Sequence, residues 1–582
     1  MSGIPVFSAG TSLQSSGASV SAQIPADSAG MLPLFVRVTA TAAGYFRLSQ
    51  DGASAAIGDL LIQPSDGLIL KTCGLSQFSF VSQSGASTVT VTPIDVGGVV
   101  YPAGITPPVN VFSPLSLFAA GEQGVYLDPN NSATLFEDAA GTIPTALERP
   151  VGLMLDQSKG LVLGPELVTN GNFGANIDGW SSVNNAVISW KSEKLQISGD
   201  GTTAYPYAVQ TISGLTIGKS YRFYGVANKV SGADSQALVQ IGAAVSGTAI
   251  VTNGEMTAIW LATTTSVQVR LMLLGATSTY NFDNISVREL PGNLATSSST
   301  ARPTLTRRVN QFVNSEALAT QSVTTRATTQ TLRFEGTGTV TLSGTATGVY
   351  TAGTYSVTTT AGTLTATVSG TVTRADLREA NFGVNLPAYQ RVGDTSVNAA
   401  DYDATGFPAW LRCSGGQSMV TPSINFTGTD KMTVLVGVRK LSDAAIGAVL
   451  EVGNLGTVTN GVSITAPQAT ATGNYGFQSG GSSLVSVAGA TYAAPISNVL
   501  AGIGNVSGQN ATLRANGVQI ATSGASQGTG NYGNYPLYLF ARNQASLFFN
   551  GLAGPIVVRG AQSSAAEIAN AEAWINAQQK VY

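Results

Sequence analysis

The chain has 582 residues, only 10% of them charged, with 28 Lys+Arg against 31 Asp+Glu and no histidine. The lack of histidine removes the commonest general base and metal ligand, excluding Ser-His-Asp chemistry and His-ligated zinc. Carboxylate-based glycosidases and lyases using Tyr or Lys remain open, and a net charge of −3 gives no basic surplus for nucleic acid.

Length suggests roughly three to five domains of ~100–200 residues each. The 67 glycines and 43% hydrophobic content describe neither a disordered chain nor a membrane span but many short strands joined by turns. Low charge with abundant Gly, Ser and Thr is typical of stiff extracellular or virion β-proteins. Cys73 and Cys413 fall in different modules, so no intrachain disulfide and a reducing compartment are expected. The N-terminal Met-Ser-Gly-Ile-Pro has neither a basic region nor an apolar core, so no signal peptide is expected. No run of ~18 apolar residues predicts a membrane span.

Residues 1–98 alternate strand-like runs with turns: Leu34 to Thr39, Gln77 to Ser82 and Ser87 to Thr92 all have period two. They predict a small all-β domain. Residues 99–165 combine a Pro-rich connector (Pro102, Pro107, Pro108, Pro114) with a less regular block through Asp128, Thr134 and Pro150 to Asp156. Its Asp128, Glu137 and Asp138 form a candidate carboxylate pair, or simply turn and cap residues, which is the plainer reading.

Residues 166–290 open with Glu166-Leu-Val-Thr-Asn-Gly-Asn-Phe173 and Gly179-Trp180, and close with Phe282-Asp-Asn-Ile-Ser-Val287. Tyr221 to Val226 and Val267 to Met272 alternate as half-buried strands do. The paired ends resemble a carbohydrate-binding module of the β-jelly-roll type. The resemblance implies a sugar-facing surface and a calcium site at Asp283, with oxygen ligands from around Glu166 and Asn172. Oxygen-only ligation suits calcium, although Asp283 could cap a strand end without any metal.

Residues 291–308 read as a linker. Residues 309–380 hold a Thr/Gly-rich tract of short hairpin strands around Val340, Leu342, Tyr350, Tyr355, Val357, Leu364 and Val368. Poor in large apolar residues, it is expected to pack against its own copies around a threefold axis.

Residues 381–582 contain a type I′ hairpin signal at Asn516-Gly517 and buried-type strands at Pro536 to Phe540 and Gly551 to Val558. A capping box, Ser564-Ala-Ala-Glu567, opens an amphipathic helix carrying Ile568, Ala571 and Ile575. Together these resemble a concanavalin-A-like or laminin-G-like lectin sandwich. Residues 115–165, and Phe426 to Arg439 with Tyr389-Gln-Arg and Asp401-Tyr-Asp403 before it, resemble segments of tailed-bacteriophage structural proteins.

Several motifs fail on context. Gly524-Ala-Ser-Gln-Gly528 fits a nucleophile elbow but has no base. Gly528-Thr-Gly-Asn-Tyr-Gly533 precedes a strand where a phosphate loop needs a helix. Gly218-Lys-Ser220 lacks the first glycine of a P-loop. Asp394, Asp401 and Asp403 cluster in one loop, but Asp in Gly/Asn-rich loops is usually turn chemistry.

Sugars stack on aromatic faces, so the candidate binding residues are Trp190, Tyr205, Tyr207 and Trp260 in the jelly roll. Tyr475, Tyr532 and Tyr535 in Gly/Asn-rich loops are the candidates in the lectin-like part. Trp180 and Trp574 are expected to pack. The expectation is an all-β multidomain protein, β-sandwich and jelly-roll modules in series with one short C-terminal helix. It would be a virion protein made in the host cytoplasm, most simply a tail fibre or appendage and a homotrimer. Residues 1–98 would anchor it to other virion proteins while the outer modules bind bacterial surface glycan without catalysis. It would have no required cofactor, no nucleic-acid partner and no membrane insertion. A head or neck decoration protein and a polysaccharide depolymerase are the alternatives.

Overall fold

A computed structural model describes residues 11–25, 35–49, 53–56, 59–64, 68–72, 75–94, 112–232, 236–242, 245–297, 302–380, 388–393, 400–454 and 457–580. Cys73, Asp394, Pro102, Pro107 and Pro108 lie outside these residues. The fold is all-β with one C-terminal helix, and it divides into two compact units, Met1–Val111 and Phe112–Tyr582. Among the described residues no helix is long and apolar enough to cross a membrane.

The first unit contains two antiparallel four-stranded sheets. One runs Thr11–Ser15, Ser87–Ile94, Phe35–Ala40, Leu68–Lys71; the other runs Val20–Gln23, Gln77–Ser82, Gly44–Ser49, Leu60–Ile62. The period-two pattern turns Val36, Val38, Phe78, Phe80, Val89 and Val91 into one core. A Cβ on Gly44 would lie 2.3 Å from the Phe80 ring, so a glycine is needed where that ring crosses the strand.

The second unit is built on a large β-sandwich whose strands come from three separated stretches of sequence. One sheet has nine strands, and its order begins Leu135–Phe136, Leu153–Met154, Ala295–Thr296, Met419–Asn425, Asn534–Leu539. The facing eight-stranded sheet begins with Thr304–Thr306, Trp410–Ser414, Asn550–Arg559, Lys431–Lys440. Gly124–Leu127 also pairs with Asn550–Arg559, from Gly124 opposite Arg559 to Leu127 opposite Ile556. The block at 112–165 is therefore not an irregular connector, nor is 291–308 only a linker. Both donate strands to the sandwich that was expected to occupy 381–582 alone. The jelly roll and the Thr/Gly-rich pair of sheets are insertions between its strands.

The sandwich core joins Val125, Leu127, Met154 and Ala295 to Leu411, Val434, Phe477 and Val558. Each of the larger fully buried side chains among these contributes roughly 1.5–3 kcal/mol. Asn516 and Gly517 take positive φ in the hairpin between Asn510–Ala515 and Val518–Ser523, as a type I′ turn requires. The helix Ala565–Gln579 is opened by the Ser564/Glu567 capping box and buries Ile568, Ala571 and Ile575 against the outer face of the eight-stranded sheet. Trp574 packs edge-on to Tyr126 at 6.0 Å.

The Thr/Gly-rich stretch folds into a four-stranded and a three-stranded sheet. They enclose Phe312, Leu332, Phe334, Val340, Leu342, Leu364 and Leu377. It thus has a core of its own, supplied partly by Phe312, Leu332 and Phe334 just outside the tract.

The jelly roll faces two five-stranded sheets across a core of Phe173, Trp180, Leu195, Phe223, Val239, Leu271, Tyr280 and Phe282. One sheet runs Ser181–Val183, Tyr207–Ser213, Ser266–Leu273, Ala237–Ile241, Val245–Ser246. The other runs Val187–Trp190, Leu195–Ser198, Thr279–Leu290, Ser220–Ser231, Asn253–Leu261. On its outer side Ile259 packs with Leu153 and Leu155, fixing the insertion to the sandwich.

Candidate functional site

Alternation places a polar surface on the outside of the first jelly-roll sheet. Ala208, Ile212, Val269, Leu271, Val239 and Ile241 point into the core, so Tyr207, Gln268, Arg270 and Gln240 point away from it. Register sets Val209 opposite Arg270, and Arg270 opposite Gln240 on the next strand. From there the Arg270 guanidinium reaches diagonally over the Tyr207 ring, 5.2 Å from its centroid. Its Nη1 donates to Gln240 Oε1 at 3.1 Å, and its Nε and Nη2 to Gln268 Oε1 at 3.2 and 2.8 Å.

Only the carbonyl end of each glutamine can accept from a guanidinium, so both amide nitrogens are left as donors. Tyr205 stands beside this patch, 53% exposed and with a left-handed backbone, its carbonyl accepting from Asn184 Nδ2 at 3.0 Å. An aromatic face, a fixed cation and oriented amides on a flat sheet are the groups that stack on a sugar ring and bind its hydroxyls.

Of the four jelly-roll aromatics picked from the sequence, Tyr207 lies under Arg270 and Tyr205 is exposed two residues before it. Trp190 is 43% exposed but lies on the edge strand of the other sheet, its Nε1 donating to the Phe173 carbonyl at 2.6 Å. Trp260 is a correction: it is core, tilted on Tyr221 at 6.2 Å. Arg270, Gln240 and Gln268 were missed. The signal was their place at alternate positions of apolar strands, which shows only once three strands are in register.

No protein-family model matches the chain, and no characterised protein matches it in sequence. Among solved structures it is similar to the CBM40 of the Ruminococcus gnavus IT-sialidase bound to α2,3-sialyllactose. That match has 18% identity over 28% of this chain and 95% of that one, with a TM-score of 0.23. It is also similar to a CBM4 domain, at 18% identity over 21% of this chain and 99% of that one, TM-score 0.17. The binding domain of botulinum neurotoxin serotype C1 matches at 12% identity over 30% of this chain and 44% of that one, TM-score 0.23. At such scores no ligand or residue role transfers.

Of the three residues expected to hold calcium, two share a groove. Glu166 and Asn172 line a groove of about 570 Å³ with Tyr224, Asn284, Ser286 and Arg288, and Asp283 is not part of its lining. Glu166 is occupied: it accepts from Ser286 Oγ at 2.6 Å, Arg288 Nε at 3.1 Å, and the Val168 and Val287 amides at 3.0 and 2.8 Å. Burial alone would raise its pKa, but these bonds outweigh it and hold the carboxyl below its ordinary range. Asp283 Oδ1 accepts from the Asn284 amide at 2.7 Å. Among the described residues no group of three or more Asp, Glu, Cys or His could hold a metal ion.

The lectin-like candidates are corrected more sharply, because Tyr475 and Tyr532 are core residues rather than loop platforms. Tyr475 OH meets Asn498 Oδ1 at 2.6 Å under the Lys440 ammonium, 4.9 Å from its ring. Tyr532 OH meets Ser479 Oγ at 2.8 Å, and burial pushes its pKa up to about 12. Tyr535 is half-buried against the same core, its ring folded over Gly533, whose Cβ would lie 2.1 Å from it.

The acids have turn roles. Asp128 accepts from Asn130 N and Nδ2 and from Tyr126 OH. Asp138 accepts from Thr142 N and Oγ1 and from Ile143 N. Glu137 pairs with Arg149 at 2.8 Å, and Asp403 accepts from the Thr405 amide at 2.8 Å.

Proposed function

We propose that the chain is a bacteriophage virion protein, a tail fibre or similar appendage, that binds bacterial surface glycan without catalysis through the outer face of its jelly roll. The observation that carries the glycan contact is the Arg270 guanidinium held over Tyr207 and locked by Gln240 and Gln268. A platform ordered before binding loses little side-chain entropy on contact. The virion setting is supported by the resemblance of residues 115–165 and 426–439 to tailed-phage proteins. In this reading residues 1–98 dock to other virion proteins, and three copies multiply weak sugar contacts through effective concentration.

The test is binding of the full-length chain to an array of bacterial envelope glycans. Specific binding that falls at least ~10-fold, about 1.4 kcal/mol, in Tyr207→Ala and Arg270→Ala supports the reading. Release of shortened saccharide would replace it with a depolymerase. No binding by folded protein would favour the head or neck decoration role.

A further inference from the structure

A cleft of about 580 Å³ opens between the Thr/Gly-rich sheets and the outer face of the sandwich, and four arginines, Arg308, Arg326, Arg412 and Arg439, line it with a single carboxylate, Glu379. This is an unusual concentration for a chain that is only 10% charged. Two of the four are placed by strand register. Leu552 is paired with Arg412 on one side and with Arg439 on the other, so the two guanidiniums leave the same face of adjacent strands astride one leucine.

The lone carboxylate is already engaged. Glu379 takes Arg326 through both oxygens, at 3.1 and 3.0 Å. Arg412 Nη2 donates to the Arg308 carbonyl at 3.1 Å, and Arg439 Nη2 to the Glu379 carbonyl. Arg308 donates to the carbonyls of Asn310 and Gln311 at 2.8 and 3.0 Å. Among the described residues Arg308, Arg412 and Arg439 form no ion pair. The next acid, Glu148, is taken up by Thr306 Oγ1 and Tyr402 OH at 2.5 and 3.0 Å. Burial, the largest cause, holds Arg308 and Arg439 below the ordinary arginine range, and the charge of Arg412 adds to it, while Glu148 and Asp401 oppose it at Arg308 and Glu379 opposes it at Arg439. Among the lining residues four fixed cations face one carboxylate, and an anionic ligand would offset the positive charge that Glu379, Glu148 and Asp401 leave unbalanced. Guanidinium forks match oxyanions in two-pronged geometry.

We propose that this cleft is an oxyanion site, Arg412 and Arg439 gripping the carboxylate of an acidic saccharide. The saccharide rests on the glycan-binding reading, whereas the oxyanion stands on the arginines alone. Beyond the arginines the lining mixes polar side chains, Gln311 and Gln321, with Val309, Val313 and Val323, so it offers a sugar both hydroxyl partners and apolar contact.

The experiment is calorimetric titration of the full chain with oligogalacturonate, with the neutral oligogalactoside of the same length, and with sulfate. Oligogalacturonate is expected to bind and the neutral oligomer at least ~10-fold more weakly. Arg412→Gln and Arg439→Gln, made separately so that misfolding of one leaves the other informative, should each lose at least ~10-fold. The titration is repeated in Tyr207→Ala: binding that this variant loses belongs to the jelly-roll face, and binding that it keeps but the arginine variants lose belongs to the cleft. Sulfate binding with no gain from the saccharide would overturn the saccharide assignment. Oligogalacturonate binding unaltered in a folded arginine variant, or no binding of either anion, would overturn the site.

Discussion

Arg559, at the end of the last strand, and Glu122, just before the first strand of the sandwich, form a two-pronged ion pair across 437 residues, Nε–Oε1 2.6 Å and Nη2–Oε2 3.2 Å. The two side chains are only 11% and 10% exposed, and Arg559 also reaches Ser563 and Glu567 in the helix cap. The pair locks Gly124–Leu127, a segment that precedes both insertions, to Asn550–Arg559, which follows them. Removing Glu122 leaves a buried arginine with only its longer ion pair to the more exposed Glu567, at 3.3 Å. Glu122→Gln is therefore expected to lower unfolding free energy by about 3 kcal/mol, whereas Glu122→Leu with Arg559→Met should cost less than that single change. Denaturant unfolding reads both, and a single-variant cost below about 0.5 kcal/mol would reduce the pair to an ordinary surface contact.

Trp260 separates stability from binding. It is buried in the jelly-roll core against Tyr221, on the opposite sheet from Tyr207. Trp260→Ala is expected to cost about 3–5 kcal/mol through the cavity it leaves. Trp260→Phe should keep glycan binding within about twofold, because it keeps an aromatic ring in the core, leaves a smaller cavity than alanine and touches nothing on the outer face of the other sheet. A specific loss of binding in folded Trp260→Phe would put the sugar surface on the wrong side of the sheet.

Tyr532 shows where the sequence was legible and where it was not. The alternating strands, the capped helix and the Asn516-Gly517 hairpin were readable, because each rests on local chemistry. Tyr475, Tyr532 and Tyr535 looked like loop residues because Gly and Asn surround them. One of those glycines serves close approach instead, since a Cβ on Gly533 would lie 2.1 Å from the Tyr535 ring; so does Gly504 on a distant strand, whose Cβ would lie 2.3 Å from Tyr532 Oη. The strands at Leu135–Phe136, Leu153–Met154 and Ala295–Thr296 are two residues long, too short to carry any period, so the discontinuous sandwich was invisible. The Arg270 platform was hidden because it depends on three strands in register.

Tyr532→Phe follows from that burial. The change keeps the ring and removes only the hydroxyl that meets Ser479 Oγ, itself bonded to Gln527 Oε1 at 2.6 Å. A cost of about 1 kcal/mol in unfolding free energy is expected, with glycan binding unaltered. Lost binding at unchanged stability would return Tyr532 to a ligand surface.

Glu166 ties the opening of the jelly roll to its last strand and gives the fold a pH dependence with a definite sign. Its folded pKa lies below the ordinary value of 4.5, the hydrogen bonds from Ser286, the Val168 and Val287 amides and Arg288 outweighing burial. A depressed carboxylate stabilises the fold fully above its unfolded pKa, and that stability is lost as pH falls through the folded value. The opposite sign comes from Asp156, which burial raises in spite of its bonds to Tyr126, Ser158 and Asn293. The Glu166 contribution is therefore read as a difference between wild type and Glu166→Gln. Thermal unfolding should separate the two proteins most at neutral pH, with the gap narrowing as pH falls below about 4.5. A gap that stays constant from neutral pH into that acid range would mean that the Glu166 charge does not hold the strand, leaving only the shape of the side chain to do so.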